Sequence, residues 1–200
     1  MLRRLIIAST LVAFCIPAFA QETLRVRGTV EKVDGTTLTI KARDGANVTI
    51  KVAADKPVYT ALVKAVLADI KPGSYIGVTS LPQADGSLKA VAVHFFPEAA
   101  RGMGEGHRAW DQQPQSQMTN ATVETVVASV DGEVVMVKYK DGEKKVLVTP
   151  QTAIVRMVPG DAAEVKAGTK VIIFAATKAA DGGWQTQRVT YGKDGLAPPM

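Results

Sequence analysis

The 200-residue chain has one cysteine, two histidines and few aromatic side chains, 6% of the total. Each shortage closes off a chemistry. Cys15 lies inside an N-terminal leader, so the chain that remains after leader removal holds no thiol. It can form no disulfide, thiolate metal site or cysteine nucleophile. Two histidines leave little for His-assisted hydrolysis, which needs a base oriented by a third group. Gly-x-Ser-x-Gly, His-Glu-x-x-His and Cys-x-x-Cys are all missing, and the reading is of a protein that is not an enzyme. Long hydrophobic runs are missing as well. Beyond residue 20 the longest uncharged apolar run, 171–177, falls far short of the ~20 residues that span a bilayer. No transmembrane span is expected in the mature chain.

What is present begins with the leader, MLRRLIIASTLVAFCIPAFA. Arg3 and Arg4 supply a positive start, residues 5–16 an uncharged apolar stretch, and Pro17 ends it before Ala18-Phe19-Ala20. This is the three-part pattern of a secretory signal peptide cleaved after Ala20. Phe14, just before Cys15, is too bulky for a lipid-attachment site. The mature chain is then 200 − 20 = 180 residues with 22 basic and 19 acidic side chains, a net charge of +3. The expected compartment is a bacterial periplasm.

The chain repeats itself. Val33-Asp34-Gly35 returns as Val130-Asp131-Gly132 and Asp44-Gly45 as Asp141-Gly142, both 97 residues on. Lys71-Pro72-Gly73 returns as Lys166-Ala167-Gly168 after 95, and Asp85-Gly86 as Asp181-Gly182 after 96. In the first copy, 26–33 has strand composition and Asp34-Gly35 reads as a hairpin turn. Leu38, Ile40 and Ala42, then Val48, Ile50 and Val52, alternate with polar residues as half-buried strands do. Leu62, Val63, Val66, Leu67 and Ile70 recur at three and four, which predicts an amphipathic helix over 59–69. Strands return at 74–79 and 88–95. The second copy repeats the order at 121–130, 134–140, 145–148, 171–176 and 185–191, with one helical turn within 159–165.

Three meandering strands, a helix and two more strands is the element order of an OB-type barrel. The expected fold is therefore mainly β, two tandem OB-like small barrels, each with a short helix between strands three and four. The alternative is two small open sheets packed face to face. The expected division is a signal peptide (1–20), a first barrel (21–97), a connecting loop (98–118), a second barrel (119–192) and a C-terminal tail (193–200). OB barrels often bind nucleic acid through aromatics on strands two and three. Here those outward positions are Thr37, Thr39, Lys41, Arg43, Thr49 and Lys51, so no nucleic-acid partner is expected.

The connecting segment, PEAARGMGEGHRAWDQQPQSQM, has a loop's composition but an unusual concentration of functional side chains. Three readings stand. Phe96 and Trp110 dock the loop across both barrels. His94, Glu98, Glu105, His107 and Asp111 form a nitrogen and oxygen site for a divalent transition metal. Arg101, Arg108 and the glycine-rich backbone bind an anion.

The leader, the duplicated β-rich plan and the stretch VHFFPEAARGMGEGHRAWD (93–111), followed by MTNATV (118–123), resemble a group of uncharacterised secreted proteobacterial proteins with OB-like domains. Some members are labelled metal transporter permeases, a label at odds with the missing transmembrane segment. The resemblance implies a periplasmic location and OB-like fold and brings no catalytic residues. The leading expectation is a non-enzymatic periplasmic binding or scaffolding protein. Phe96, Arg101, Arg108 and Trp110 would face an unknown protein, an envelope glycan or an anionic ligand, with no cofactor. The alternative is a metal-binding accessory protein using His94 and His107. Mass spectrometry of the protein from fractionated cells should find a periplasmic chain beginning at Gln21; an intact chain confined to the cytoplasm would refute the leader.

Overall fold

The structure, a computed structural model, describes residues 22–200; the leader with Cys15 lies outside the described residues. The protein is mainly β. The first half supplies β1 (Thr23–Asp34), β2 (Thr37–Ala42), β3 (Asn47–Val52), β4 (Val58–Lys64), β5 (Tyr75–Pro82) and β6 (Leu88–Phe95). A short β7 (Gly106–Ala109) follows. The second half supplies β8 (Gln117–Ser129), β9 (Gly132–Tyr139), β10 (Gly142–Val148), β11 (Ala153–Pro159), β12 (Lys170–Lys178), β13 (Trp184–Thr186) and β14 (Arg188–Gly192).

The strands expected from alternation are all present, but they do not close within their own half. β1, β2 and β3 pair in sequence, β3 runs parallel to β13, β13 pairs with β12, and β12 returns to β1. This is a closed five-stranded barrel whose last two strands come from the second half. The other half answers in kind. β8, β9 and β10 pair in sequence, β10 runs parallel to β6, β6 pairs with β5, and β5 returns to β8. The tandem reading, with one barrel in 21–97 and the other in 119–192, is thus replaced by a reciprocal exchange of strands.

The predicted helix over 59–69 is replaced too. Residues 58–64 are β4, and only a single 3-10 turn, Leu67–Asp69, follows it. β4 lies between β14 and β11, so both its edges are hydrogen-bonded. Its two faces meet different cores: Ala61 packs in the first barrel, and the adjacent Leu62 packs in the cluster between the barrels. A strand buried on both faces carries consecutive apolar residues, and that pattern imitates a helix. In the second half the expected helical turn is the 3-10 turn Ala162–Glu164.

β4 and β11 pair antiparallel with Leu62 opposite Met157, Lys64 opposite Val155 and Thr60 opposite Pro159. Leu62 and Met157 are 157 − 62 = 95 apart, the spacing of the neighbouring repeat, so equivalent residues face each other. A pseudo-two-fold axis passes through this pair, as in an isologous dimer interface. Each barrel has a core drawn from both halves: Val30, Ile40 and Ile50 with Ile173 and Val189 in one, Ile76 and Val93 with Val135 and Val146 in the other. A third cluster lies between them, where Leu62, Met118, Val155, Ile172 and Met200 are buried together. The expected tail is part of it, since Leu196 packs there and Arg27 Nε donates to the Met200 backbone oxygen at 2.8 Å.

Residues 22–102 and 103–200 made as separate polypeptides should each fail to fold as monomers, and mixing should restore a dispersed amide NMR spectrum. Two independently folded monomeric halves would refute the exchange.

Candidate functional site

The central row of the second barrel's outer face is built around a missing side chain. On β5, Gly77 is paired with His94 of β6 on one side and Asn120 of β8 on the other. A Cβ at Gly77 would lie 2.1 Å from the His94 Cε1 and Nε2 atoms and 2.8 Å from Asn120 Oδ1. Glycine inside a strand commonly marks such a close approach. The imidazole lies across the bare backbone and is 3% exposed.

The segment expected to be a loop covers this row. Phe96 packs on Tyr75 with ring centroids 5.1 Å apart and meets the edge of His94 at 4.8 Å. The Met103 carbonyl accepts from Tyr75 Oη at 3.2 Å and from Asn120 Nδ2 at 3.1 Å. Gly104 takes a positive φ of 56°, and its carbonyl accepts from Arg108 Nη1 at 2.8 Å. β7 then adds to the β8 edge. Beyond it Trp110 reaches the other barrel, 6.4 Å from Phe174 of β12 and with the Arg25 guanidinium 4.0 Å from its ring centroid. Asp111 accepts from Arg25 at 2.9 Å and Arg27 at 2.7 Å, both on β1. Partial burial opposes its ionisation, but those two hydrogen bonds prevail and hold its pKa down at about 2.

A cavity of about 170 Å³ lies between the barrels and under this strap. Its walls are His94, Phe96, Trp110, Met118, Met157 and Phe174, with Asn120 beside His94 and the exposed Met103 and Arg108 at its rim. Three buried polar atoms here have no partner within the protein: His94 Nδ1, Asn120 Oδ1 and Trp110 Nε1. Burial, with the Arg108 guanidinium adding to it, pushes the His94 pKa down to about 3, so the ring is neutral near pH 7. The cavity offers a compact, mostly apolar space with a few polar side chains among its lining.

Of the residues expected to face a ligand or interface, Phe96, Arg108 and Trp110 line this cavity. Arg101 does not. It pairs with Glu98 through two contacts, at 2.5 and 2.8 Å, and donates to the Gly73 carbonyl at 2.9 Å. The five residues expected to hold a metal are not brought together. His94 shares its row with Gly77, Asn120 and Gly106, whereas His107 is paired with Thr119, one residue along β8. Successive strand residues face opposite sides, so the two histidines occupy opposite faces of the sheet. His107 Nδ1 is 2.8 Å from Thr119 Oγ1, Glu98 is paired with Arg101, Glu105 accepts the Lys140 amide at 3.0 Å, and Asp111 is held by two arginines. Among the described residues no group of three or more His, Cys, Asp or Glu is placed to share an ion.

Sequence reasoning missed Gly77, Asn120, Met118, Met157 and Phe174. Only Gly77 carried a signal, a glycine in the middle of the run YIGVTS. A wider groove of about 540 Å³ lies beside Glu164 and Lys193. There the polar groups satisfy one another: Lys193 pairs with Glu164 at 2.9 Å and Tyr191 donates to the same carboxylate. No family model, curated protein or solved structure matches the chain.

The neutral His94 makes stability depend on pH. The unfolded chain protonates this ring near pH 6.5 and the folded one near 3, so lowering the pH through that window feeds the unfolded state. Asp111, whose ordinary pKa is 3.8, loses its contribution only below about pH 4. The urea midpoint should fall between pH 6.5 and 4.5, and fall less steeply in His94→Gln. Equal slopes in the two proteins would refute the assignment.

Proposed function

We propose that the protein is a non-enzymatic periplasmic binding protein built from two OB-like barrels, whose inter-barrel cavity takes a compact, mostly apolar ligand. With the two strands lent by the other half counted as fourth and fifth, each ring has the order 1-2-3-5-4-1, with a parallel contact between its third and fifth strands. That is the closed Greek-key arrangement expected of an OB-type barrel. The leader pattern supports the periplasm. The observation that carries the binding reading is the cavity itself, about 170 Å³ with mostly apolar walls and a few polar side chains, His94, Asn120, Trp110 and Arg108, among the residues that line it. Ligand pockets of this kind favour sites between structural units and combine apolar walls with a few polar groups.

The reading puts the site away from the strand two and three face of either barrel, where Lys41, Thr49 and Lys51 are exposed. The metal-accessory alternative gains no support from histidines on opposite faces of one sheet.

Native mass spectrometry of protein taken from the periplasm should show a low-mass adduct, and Met157→Phe, which adds bulk to the cavity wall, should reduce its occupancy. An adduct indifferent to that substitution would move the site elsewhere. No adduct, together with no thermal shift from a panel of small aromatic compounds, would overturn the proposal.

A further inference from the structure

Arg108 is the one charged side chain among the described residues that line the cavity, and it is exposed at the rim rather than buried in the wall. Its Nη1 donates to the Gly104 carbonyl, and no carboxylate pairs with it among the described ion pairs. The surroundings add positive charge. Arg25, Arg27 and Arg108 all lie within 5.8 Å of the Trp110 ring centroid, and Arg43 Nη1 donates to Gln112 at 3.1 Å. Against these four guanidiniums stands one carboxylate, Asp111, already shared by Arg25 and Arg27. Arg25 Nε is buried without a partner. The other titratable group lining the cavity is His94, neutral; Tyr75 lies behind Phe96 and donates its hydroxyl to the Met103 carbonyl.

Deeper in, the surroundings are of the opposite kind. Phe96, Met118, Met157 and Phe174 offer carbon and sulfur to any guest. The volume of about 170 Å³ compares with the ~150 Å³ apolar cavity that accommodates benzene. One ring of six carbons with a short polar group is therefore the right size. A guest with an apolar body and a single negative charge at the mouth satisfies both regions. A cation would meet the guanidinium of Arg108, and a neutral guest would leave that charge unused.

From this geometry we propose that the cavity selects small aromatic carboxylates of about benzoate's size, seated with the ring between Met118, Met157 and Phe174 and the carboxylate on Arg108. The inference rests on the binding reading above and names its ligand class. Hydrogen bonds to a charged group are about twice as strong as neutral ones, and the partly solvated rim keeps the advantage moderate.

The test is a series with one body and three charges. In Trp184→Phe protein, Trp110 is the remaining tryptophan and its fluorescence reports occupancy of the cavity. Benzoate should bind about tenfold or more tightly than benzyl alcohol, and benzylamine should not bind. Arg108→Gln, a rim substitution, should bring benzoate down to the level of the alcohol. Raising salt should weaken benzoate alone. Benzyl alcohol binding as tightly as benzoate, or benzoate indifferent to Arg108→Gln, would overturn the charge selection while leaving a cavity that binds. Failure of all three compounds would overturn the ligand class, and the adduct measurement would then decide the binding reading separately.

Discussion

The antiparallel contact of β4 with β11 is the constraint on which the rest of the molecule depends. A seven-residue segment in extended form covers about 23 Å, whereas the same segment in a helix covers about 10 Å. In extended form it carries the chain out of the barrel that β1, β2 and β3 began and delivers β5 and β6 to the other one. The second half does the same in the opposite sense. Because equivalent residues meet across the pair, the exchange is reciprocal, and both barrels close or neither does. Stability is thereby pooled: Ile40 and Ile173, distant in sequence, share a core, as do Ile76 and Val135.

Closure at one end creates the site at the other. With barrels fused side by side, the outer face of β5, β6 and β8 meets Met157 of β11, the strand paired with β6, and Phe174 of β12 in the neighbouring barrel. The segment from Phe96 to Ser116 lies over the gap because Trp110 and Asp111 are anchored to β1. Arg25 stacks on the indole, which is worth about 0.5–1 kcal/mol at a partly exposed position, and the same arginine binds the carboxylate next to it. The strap joins parts of the fold contributed by both halves. Its cavity is a product of the exchange and belongs to neither barrel alone.

Much of this was legible beforehand. Alternation in 37–42 and 47–52 reports strands with one face on a core and one in water, and the structure has strands there. Turn residues such as Asp34-Gly35 and Asp141-Gly142 marked both copies of the plan. β4 was illegible because the adjacent Ala61 and Leu62 are buried on opposite faces, which erases the period of two, and β11 has Val155 as its one buried residue, too little to set a period. Phe96, Arg108, Trp110 and His94 stood out as chemistry-bearing residues in a segment of loop composition. Asn120, Met118, Met157 and Phe174 did not, since each reads as an ordinary strand residue until its neighbours are known. The two histidines are near in sequence, yet a register of one residue on β8 puts them on opposite faces.

The sequence by itself determined the local matters: a leader pattern and a duplicated order of strands and turns. These depend on residue type and on spacing within about ten positions, where sterics and hydrophobic period act directly. The tertiary structure alone decided which strands close which barrel, and with it the cavity and its unpartnered polar atoms. Any amphipathic strand of the right length satisfies the same local rules, so the choice between self-closure and exchange rests on long-range pairing that no local pattern encodes.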